Sequence, residues 1–252
     1  MLKIVATGKK MMKEYKISII TISFNARNEI EQTILSVINQ NYSNIEYIII
    51  DGNSTDGTVD IIKKYSNHIA FWKSETDKGI YDAMNKGLSI ASGDWVIFMN
   101  TGDLFFEKTV LSNVFRNSDY ENKYVIYGNT QYFRENSQDI EIAKEPDYIK
   151  INMPTAHQSF FVRTNIAKEI MFDTKYMYAA DYNMIYKIYK KYGQERIIHI
   201  SSTISKYEAF LGLTMQCQNE VFHETLRIRD WSFNKAYCYI KYYVKKYIWR
   251  MK

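Results

Sequence analysis

Between Ile17 and Asp103 the chain alternates short apolar, β-branched runs with segments of helical period, and the runs lead into polar or acidic residues where strands would end. Ile17 to Ser23 alternates and reads as a strand, and Asn28 to Ile38 sets Ile30, Ile34, Leu35 and Ile38 at helical spacing. Ile45 to Ile50 is a continuous apolar run of the kind buried on both faces of a parallel sheet, with a helix to follow over Thr58 to Tyr65. Ile69 to Trp72 predicts a third strand. Ile80 to Ala91 predicts a helix with Met84, Leu88 and Ala91 along one side, and Trp95 to Met99 a fourth strand. Alternation this regular implies right-handed βαβ crossovers and an α/β fold with a mostly parallel sheet and flanking helices. Polar residues then collect along one rim of that sheet, where open α/β sheets take their ligands.

After Asp103 the texture changes. A helix over Lys108 to Phe115 leads to short strand-like pieces at Tyr124 to Tyr127, Thr130 to Arg134 and Ile140 to Ala143, which read as a small antiparallel extension. Phe160 to Val162 and Ile197 to Ile200 read as strands and Asp181 to Tyr192 as a helix. With two prolines in 252 residues and no low-complexity linker, no clean boundary appears before about residue 205. We therefore expect a disordered lead over 1–15, a domain over 16–205 with halves 16–103 and 104–205, and a helical C-terminal extension over 206–252.

The composition, 46% hydrophobic and 24% charged, is that of an ordinary globular chain, and a formal charge of +5 is too small to imply nucleic acid. Two cysteines, Cys217 and Cys238, form neither a zinc pattern nor a disulfide framework, so a reducing cytoplasm is the simplest setting. No stretch approaches the roughly 20 apolar residues that span a bilayer.

Chemistry concentrates in two places. In DGNSTDGT, Asp51 closes a buried strand, Gly52 permits a tight turn, and Asn53 to Gly57 hand over to a helix. Capping accounts for Ser54, Thr55 and Asp56 but gives Asp51 no reason to sit at the mouth of the sheet. In MNTGD, Asp103 ends the fourth strand; taken alone, an ordinary turn aspartate after Gly102 explains it better than a ligand does. The chain has no GxxxxGK[ST] and no GxGxxG after its first strand, so kinase and dinucleotide-oxidoreductase readings lose their support. A nucleotide diphosphate would have to be held another way, most simply by a divalent metal on a carboxylate.

The segments SIITISFNARNEIEQTILSVINQNYSNIEYIIIDGNSTDGT and DKGIYDAMNKGLSIASGDWVIFMNTGD together resemble the nucleotide-binding half of a family 2 glycosyltransferase of the Rossmann-like GT-A fold. The likeness is nearest to bacterial enzymes of capsule, exopolysaccharide or O-antigen synthesis, and continues more loosely through HQSFFVR and AADYNMIYKIYKKYG. It implies an inverting transferase using a nucleotide-diphosphate sugar, a UDP-sugar by preference, with Mn2+ or Mg2+ as cofactor. Asp51 would meet the uracil, with Ser23, Phe24 and Asn25 lining the same pocket. Asp103 corresponds to the last carboxylate of the family's acidic, DxD-like metal motif and would be the metal ligand, with Asn100 and Gly102 beside it among the donor-binding residues. His157 would be a supplementary metal or diphosphate ligand, although a lone histidine before an apolar strand is as often structural. Gly102 stands where many members carry a second aspartate, and Met84 before Asn85 where many carry arginine; Asp77, Lys78 and Asp82 are the nearby replacements for that lost contact. Asp181 stands where the family places its catalytic base, with Ala180 in place of a preceding acid, although Asp181 is equally well formed as a helix cap. These departures leave a second reading open, a nucleotide-sugar-binding or scaffolding subunit without turnover.

From Phe233 to Lys252 a helix would put Tyr237, Ile240, Val244, Tyr247, Ile248 and Met251 on one face and Lys241, Lys245 and Lys252 on another. Such a helix suits peripheral docking at the inner face of the cytoplasmic membrane, where a lipid-linked glycan acceptor would lie; packing on the body of the protein or on a second copy suits it nearly as well.

Overall fold

The computed structural model describes residues 14–116, 118–134, 137–208 and 217–229. The expected alternation is realised as β1 (Ile17–Ser23), α1 (Ile30–Ile38), β2 (Ile45–Asp51), α2 (Thr58–Lys64), β3 (Phe71–Ser74), α3 (Ile80–Ile90) and β4 (Trp95–Phe98). These four strands pair in parallel in the order β3-β2-β1-β4, with Ser23 opposite Asp51 and Asp51 opposite Ser74 at the strand ends. Successive side chains of a strand face opposite ways, so one sequence feeds two cores. Ile20, Ile22, Ile48 and Ile50 pack beneath α3, while Ile17, Ile19, Tyr47 and Ile49 pack with Ile30 and Ile34 of α1.

Gly87 marks the tightest seam between α3 and the sheet. A Cβ there would stand 2.6 Å from Ile20 Cγ2 and 3.4 Å from Ile50 Cγ1. Ile20 is fully buried and β-branched, so it has little freedom to give way. Gly87→Ala should gain about 1 kcal/mol of helix propensity but lose more to overpacking, for a net destabilisation of about 1–2 kcal/mol. Urea denaturation reads this directly; an unchanged midpoint would show that the seam yields.

The second half adds β5 (Leu104–Phe105), α4 (Val110–Phe115), β6 (Val125–Arg134), β7 (Ser137–Glu141), β8 (Phe160–Arg163), α5 (Thr164–Ile170), α6 (Ala180–Tyr192), β9 (Ile197–Glu208) and a last helix, α7 (Gln218–Ile228). The sheet continues from β4 through β8, β6 and β9 to β5, with β7 hairpinned on β6. The two strands expected at 124–127 and 130–134 are one. Gly128, which reads as a break, sits at a bulge where β9 comes so near that a Cβ would lie 2.3 Å from the Ser202 carbonyl. β9 is likewise longer than expected, and its outer end pairs with β5 to close the sheet behind Asp103. β7 begins three residues earlier than the expected strand and β3 two residues later, after a short 3-10 turn at Ser66–His68.

Tyr15, the last residue of the expected lead, is buried edge-on against Trp95 and Phe115, and residues 1–13 lie outside the described residues. The amphipathic helix over 233–252, and with it the expected membrane contact, lies outside the described residues. No helix among the described residues is long and apolar enough to cross a membrane.

Candidate active site

The ends of β1 and β4 open onto a cleft of about 900 Å³ whose lining includes Ser23, Phe24, Asp77, Asn100, Gly102, Asp103 and, from the far end of the sheet, Phe133, Lys206 and Tyr207. Its size suits a nucleotide-sized ligand. The loop after β1 lines the cleft through Phe24 and Ala26, while Asn25, expected there, is outside the lining and ties that loop to the one after β2. Asn25 N–H donates to Ser54 Oγ (2.8 Å), Thr55 N–H to Asn25 Oδ1 (3.0 Å) and Arg27 N–H to Asp56 Oδ2 (2.9 Å). Asn25 and Asn53 hold positive φ, which asparagine tolerates better than most residues. Asp56 also accepts the Thr58 hydroxyl and amide, which hold its carboxyl below the usual range; its role is the cap.

Asp51 is fully buried and is not among the residues that line the cleft. Its Oδ1 accepts from the hydroxyls of Ser23 (2.9 Å) and Ser54, and Oδ2 from Ser54 N–H (2.9 Å) and the Ser74 hydroxyl (2.6 Å). All four lone-pair directions of the carboxylate are therefore engaged by protein.

Asn100 to Asp103 form a turn closed by Asp103 N–H on the Asn100 carbonyl (2.8 Å), with Gly102 in its third position at φ 92°. Such a turn favours glycine there, which accounts for Gly102 where a second acid was looked for. Its N–H donates to the Thr33 hydroxyl (3.0 Å), and that hydroxyl donates to the Asp103 carbonyl (3.1 Å), so α1 fixes the turn from below.

Three expected residues converge here from distant segments. His157 Nε2 lies 3.7 Å from Asp103 Oδ2, and His157 Nδ1 lies 3.9 Å from Asp181 Oδ2. Asn100 Nδ2 contacts the same Nε2 at 3.2 Å. Asp103 is 9% exposed, and burial pushes its carboxyl up to about 6 while His157 pulls the other way. Asp181 sits at the start of α6, where its Oδ1 accepts from Tyr182 N–H (2.8 Å) and from the Tyr81 hydroxyl (3.1 Å). Burial and the neighbouring Asp181 charge hold the Tyr81 hydroxyl well above its ordinary value, so it stays protonated and donates. Tyr81 was not foreseen.

Other expected residues are occupied elsewhere. Asn85 exchanges both amide bonds with the Phe172 backbone, donating at 2.9 Å and accepting at 2.9 Å, and pins the segment before α6 rather than the cleft. Asp82 accepts Lys78 N–H (3.0 Å) and lies 3.6 Å from Lys86 Nζ, a cap for the start of α3. Lys78 is exposed and outside the cleft lining, and Met84 is buried in the core. Of the nearby replacements for the lost contact, Asp77 alone is in the lining.

The cleft also holds a cation that the sequence does not announce. Lys206 lies on β9 directly opposite Leu104, the residue after Asp103, and faces a lining whose other charged members are Glu29, Asp77 and Asp103. Its ammonium makes no hydrogen bond or ion pair among the described residues.

The donor set suits a divalent cation. Asn100 Oδ1 is buried without a hydrogen-bond partner, three residues before Asp103 in the same turn, and the Asp103 carboxylate lies 3.7 Å from an imidazole nitrogen, so hard oxygen and borderline nitrogen donors are both present. Among the described residues no three His, Cys, Asp or Glu side chains group closely enough to hold a metal by themselves. Any metal here would need the ligand's own oxygens, which is the usual arrangement for cations bound with phosphates.

The model of glycosyl transferase family 2 matches residues 18–190, and the chain belongs to that family. A 90-residue stretch is 44% identical to an uncharacterised glycosyltransferase of Mycobacterium tuberculosis, covering 35% of this chain and 34% of that protein, about a third of its length. A PGL/p-HBAD biosynthesis glycosyltransferase of Mycobacterium bovis is 25% identical over 215 residues, 83% of each chain. Among solved structures, Staphylococcus aureus TarS 1–349 in complex with UDP-GlcNAc superposes with a TM-score of 0.68 at 19% identity, over 88% of this chain and 69% of that one. Glucosyl-3-phosphoglycerate synthase of M. tuberculosis, solved with Mn2+, UDP and phosphoglyceric acid, gives 0.60 at 15% identity, over 85% and 78%. These last two likenesses establish the GT-A fold.

Proposed function

We propose that this glycosyltransferase is an inverting, metal-dependent enzyme that moves a sugar from a UDP-sugar to a hydroxyl of a lipid-linked glycan in bacterial surface polysaccharide synthesis. The observation that carries the reading is that Asp103, which lines the nucleotide-sized cleft, is linked through His157 to Asp181, with imidazole-to-carboxylate distances of 3.7 and 3.9 Å. The titles of two structural neighbours, with UDP-GlcNAc and with UDP and Mn2+, favour the same donor and cofactor.

In this reading the acceptor hydroxyl lies against Asp181 Oδ2, while Tyr81 and the Tyr182 amide hold Oδ1 and so set the direction of the free oxygen. As the acceptor oxygen bonds the anomeric carbon, its proton passes to Asp181; the bond from that carbon to the diphosphate oxygen breaks on the opposite side. Asp103 and His157 would hold Mn2+ or Mg2+ against the diphosphate, where the cation, when bound, supplies Lewis-acid stabilisation of the leaving charge. Asp51 acts from behind, fixing the Ser23 and Ser54 hydroxyls at the base pocket; to meet uracil itself it must release one of its four hydrogen bonds.

Lys206 supplies a fixed positive charge to the same diphosphate. Lys206→Ala should weaken UDP binding by roughly ten- to a hundredfold, as expected for loss of a hydrogen bond to a charged group, and leave uridine binding unchanged. Equal losses for UDP and uridine would remove Lys206 from the diphosphate subsite. The function itself is tested by titrating UDP with and without Mn2+ and then assaying UDP release from UDP-sugars. Metal-dependent binding followed by turnover is expected; binding without turnover would leave a nucleotide-sugar-binding subunit, and no binding would overturn the donor assignment.

A further inference from the structure

The segment that carries Asp181 is held by a residue from beyond the sheet. Glu224, in α7, accepts three backbone amides at once: Met177 N–H at 2.9 Å, Tyr178 N–H at 2.8 Å and Ala179 N–H at 2.9 Å. Consecutive amides turned toward one point form an anion-binding nest, and here the anion is a side chain of the same chain. Ala179 is the N-cap of α6 and offers no side chain to cap with, so this carboxylate fixes the approach to a helix whose second residue is Asp181. Around it, Ala179 and Tyr182 pack against Ile228 at the end of α7. The contact is thus polar at its centre and apolar at its edge, and its polar half depends on one carboxylate.

Asp181 therefore has two supports of different origin. Tyr81, from the nucleotide-binding half, donates to its side chain; Glu224, from the C-terminal extension, fixes its backbone. We infer that Glu224 is a positioning residue for transfer, setting the place of Asp181 without touching donor or acceptor, so that α7 completes the catalytic site. This inference rests on the proposed role of Asp181 as base. It makes the C-terminal extension part of the reaction machinery, whatever else that extension does.

A purely structural tie would lower stability and all activities together, whereas a positioning tie separates turnover from donor binding. The test uses the full chain with Mn2+, measuring UDP affinity and the kcat and KM of UDP release from a panel of UDP-hexoses and UDP-N-acetylhexosamines. Glu224→Gln keeps the size but turns an amide donor toward backbone donors. It should lower kcat by about ten- to a hundredfold, the scale of a small misplacement of a catalytic group, with donor KM and UDP affinity within about twofold of wild type. Glu224→Asp keeps the charge and should retain more turnover than Glu224→Gln. An unchanged kcat in Glu224→Gln, or a parallel fall in kcat and UDP affinity, would overturn the inference. If Glu224→Gln does not fold, Glu224→Asp decides by the same split. Asp181→Asn, run alongside, separates the two levels: if it keeps full turnover, the assignment of the base fails, whatever Glu224 does.

Discussion

Asp181→Asn is expected to lower kcat by about 10²- to 10⁴-fold, the usual contribution of a general base, and to leave UDP affinity unchanged. The substitution is nearly isosteric. The amide oxygen can still accept from the Tyr81 hydroxyl and the Tyr182 amide, and the backbone before α6 stays on Glu224. What disappears is the ability of the second oxygen to take a proton. Asp181 is not among the residues that line the cleft, so UDP binding there has no reason to change. Measuring kcat together with UDP affinity checks both halves: a variant that retains turnover excludes Asp181 as base, and one that loses UDP affinity in proportion makes it a structural residue of the cleft.

The parallel half of the fold was legible because β1, β2 and β4 are buried on both faces. Apolar residues therefore fill most of their positions on both faces, and the intervening helices show their own period undisturbed. The second half obeys other rules. Gly128 and Asn129 look like a turn in sequence, yet they sit at a bulge where Asn129 bonds the backbone at both Ser201 and Ala143. α5 begins at Thr164, immediately after β8, with no polar loop to announce it. β5 is two residues long, too short to carry a period, and exists because β9 reaches it.

The site divides in the same way. Asp103, His157 and Asp181 were visible as residue types at the ends of predicted elements or through resemblance, and the fold brings them together. Asp51 was visible as an oddity, a carboxylate ending an apolar strand, but the three serines that surround it come from three different strand ends or loops and only the register shows them. Asn85 lies in a helix with a plausible polar face, and tertiary contact with Phe172 decides its use. Tyr81, Lys206 and Glu224 carry no local signal. A buried tyrosine in a helix reads as core, a lysine near a strand end as solvated, and a glutamate in mid-helix as surface; each acquires its role from a partner far along the chain.

Asp103→Asn should produce two effects of opposite sign. Burial raises the Asp103 carboxyl to about 6, above the ordinary aspartate value of 3.8, so the charged form is disfavoured in the folded protein. The sign follows from proton binding. Between about pH 4 and 6 the folded state holds more protons than the unfolded one, and stability falls as pH rises through that window. Above it the penalty is fully present, on the order of 2–3 kcal/mol for a rise of this size, and well below it the penalty vanishes. Without metal, Asp103→Asn is therefore expected to be more stable than wild type at pH 8, with the difference shrinking towards pH 4. With Mn2+ and UDP the order should reverse, because a ligand that binds only the folded state stabilises it, and the variant lacks the charge that holds the cation. Thermal unfolding of both proteins at two pH values, with and without Mn2+ and UDP, reads all of this. A variant less stable than wild type at pH 8 without metal would mean that the buried carboxylate is already compensated by protein groups. Equal stabilisation of both proteins by Mn2+ and UDP would take Asp103 out of the metal site. The expected crossing has a physical cause: a carboxylate that is costly in the empty cleft becomes favourable once a divalent cation supplies the charge that His157 alone does not.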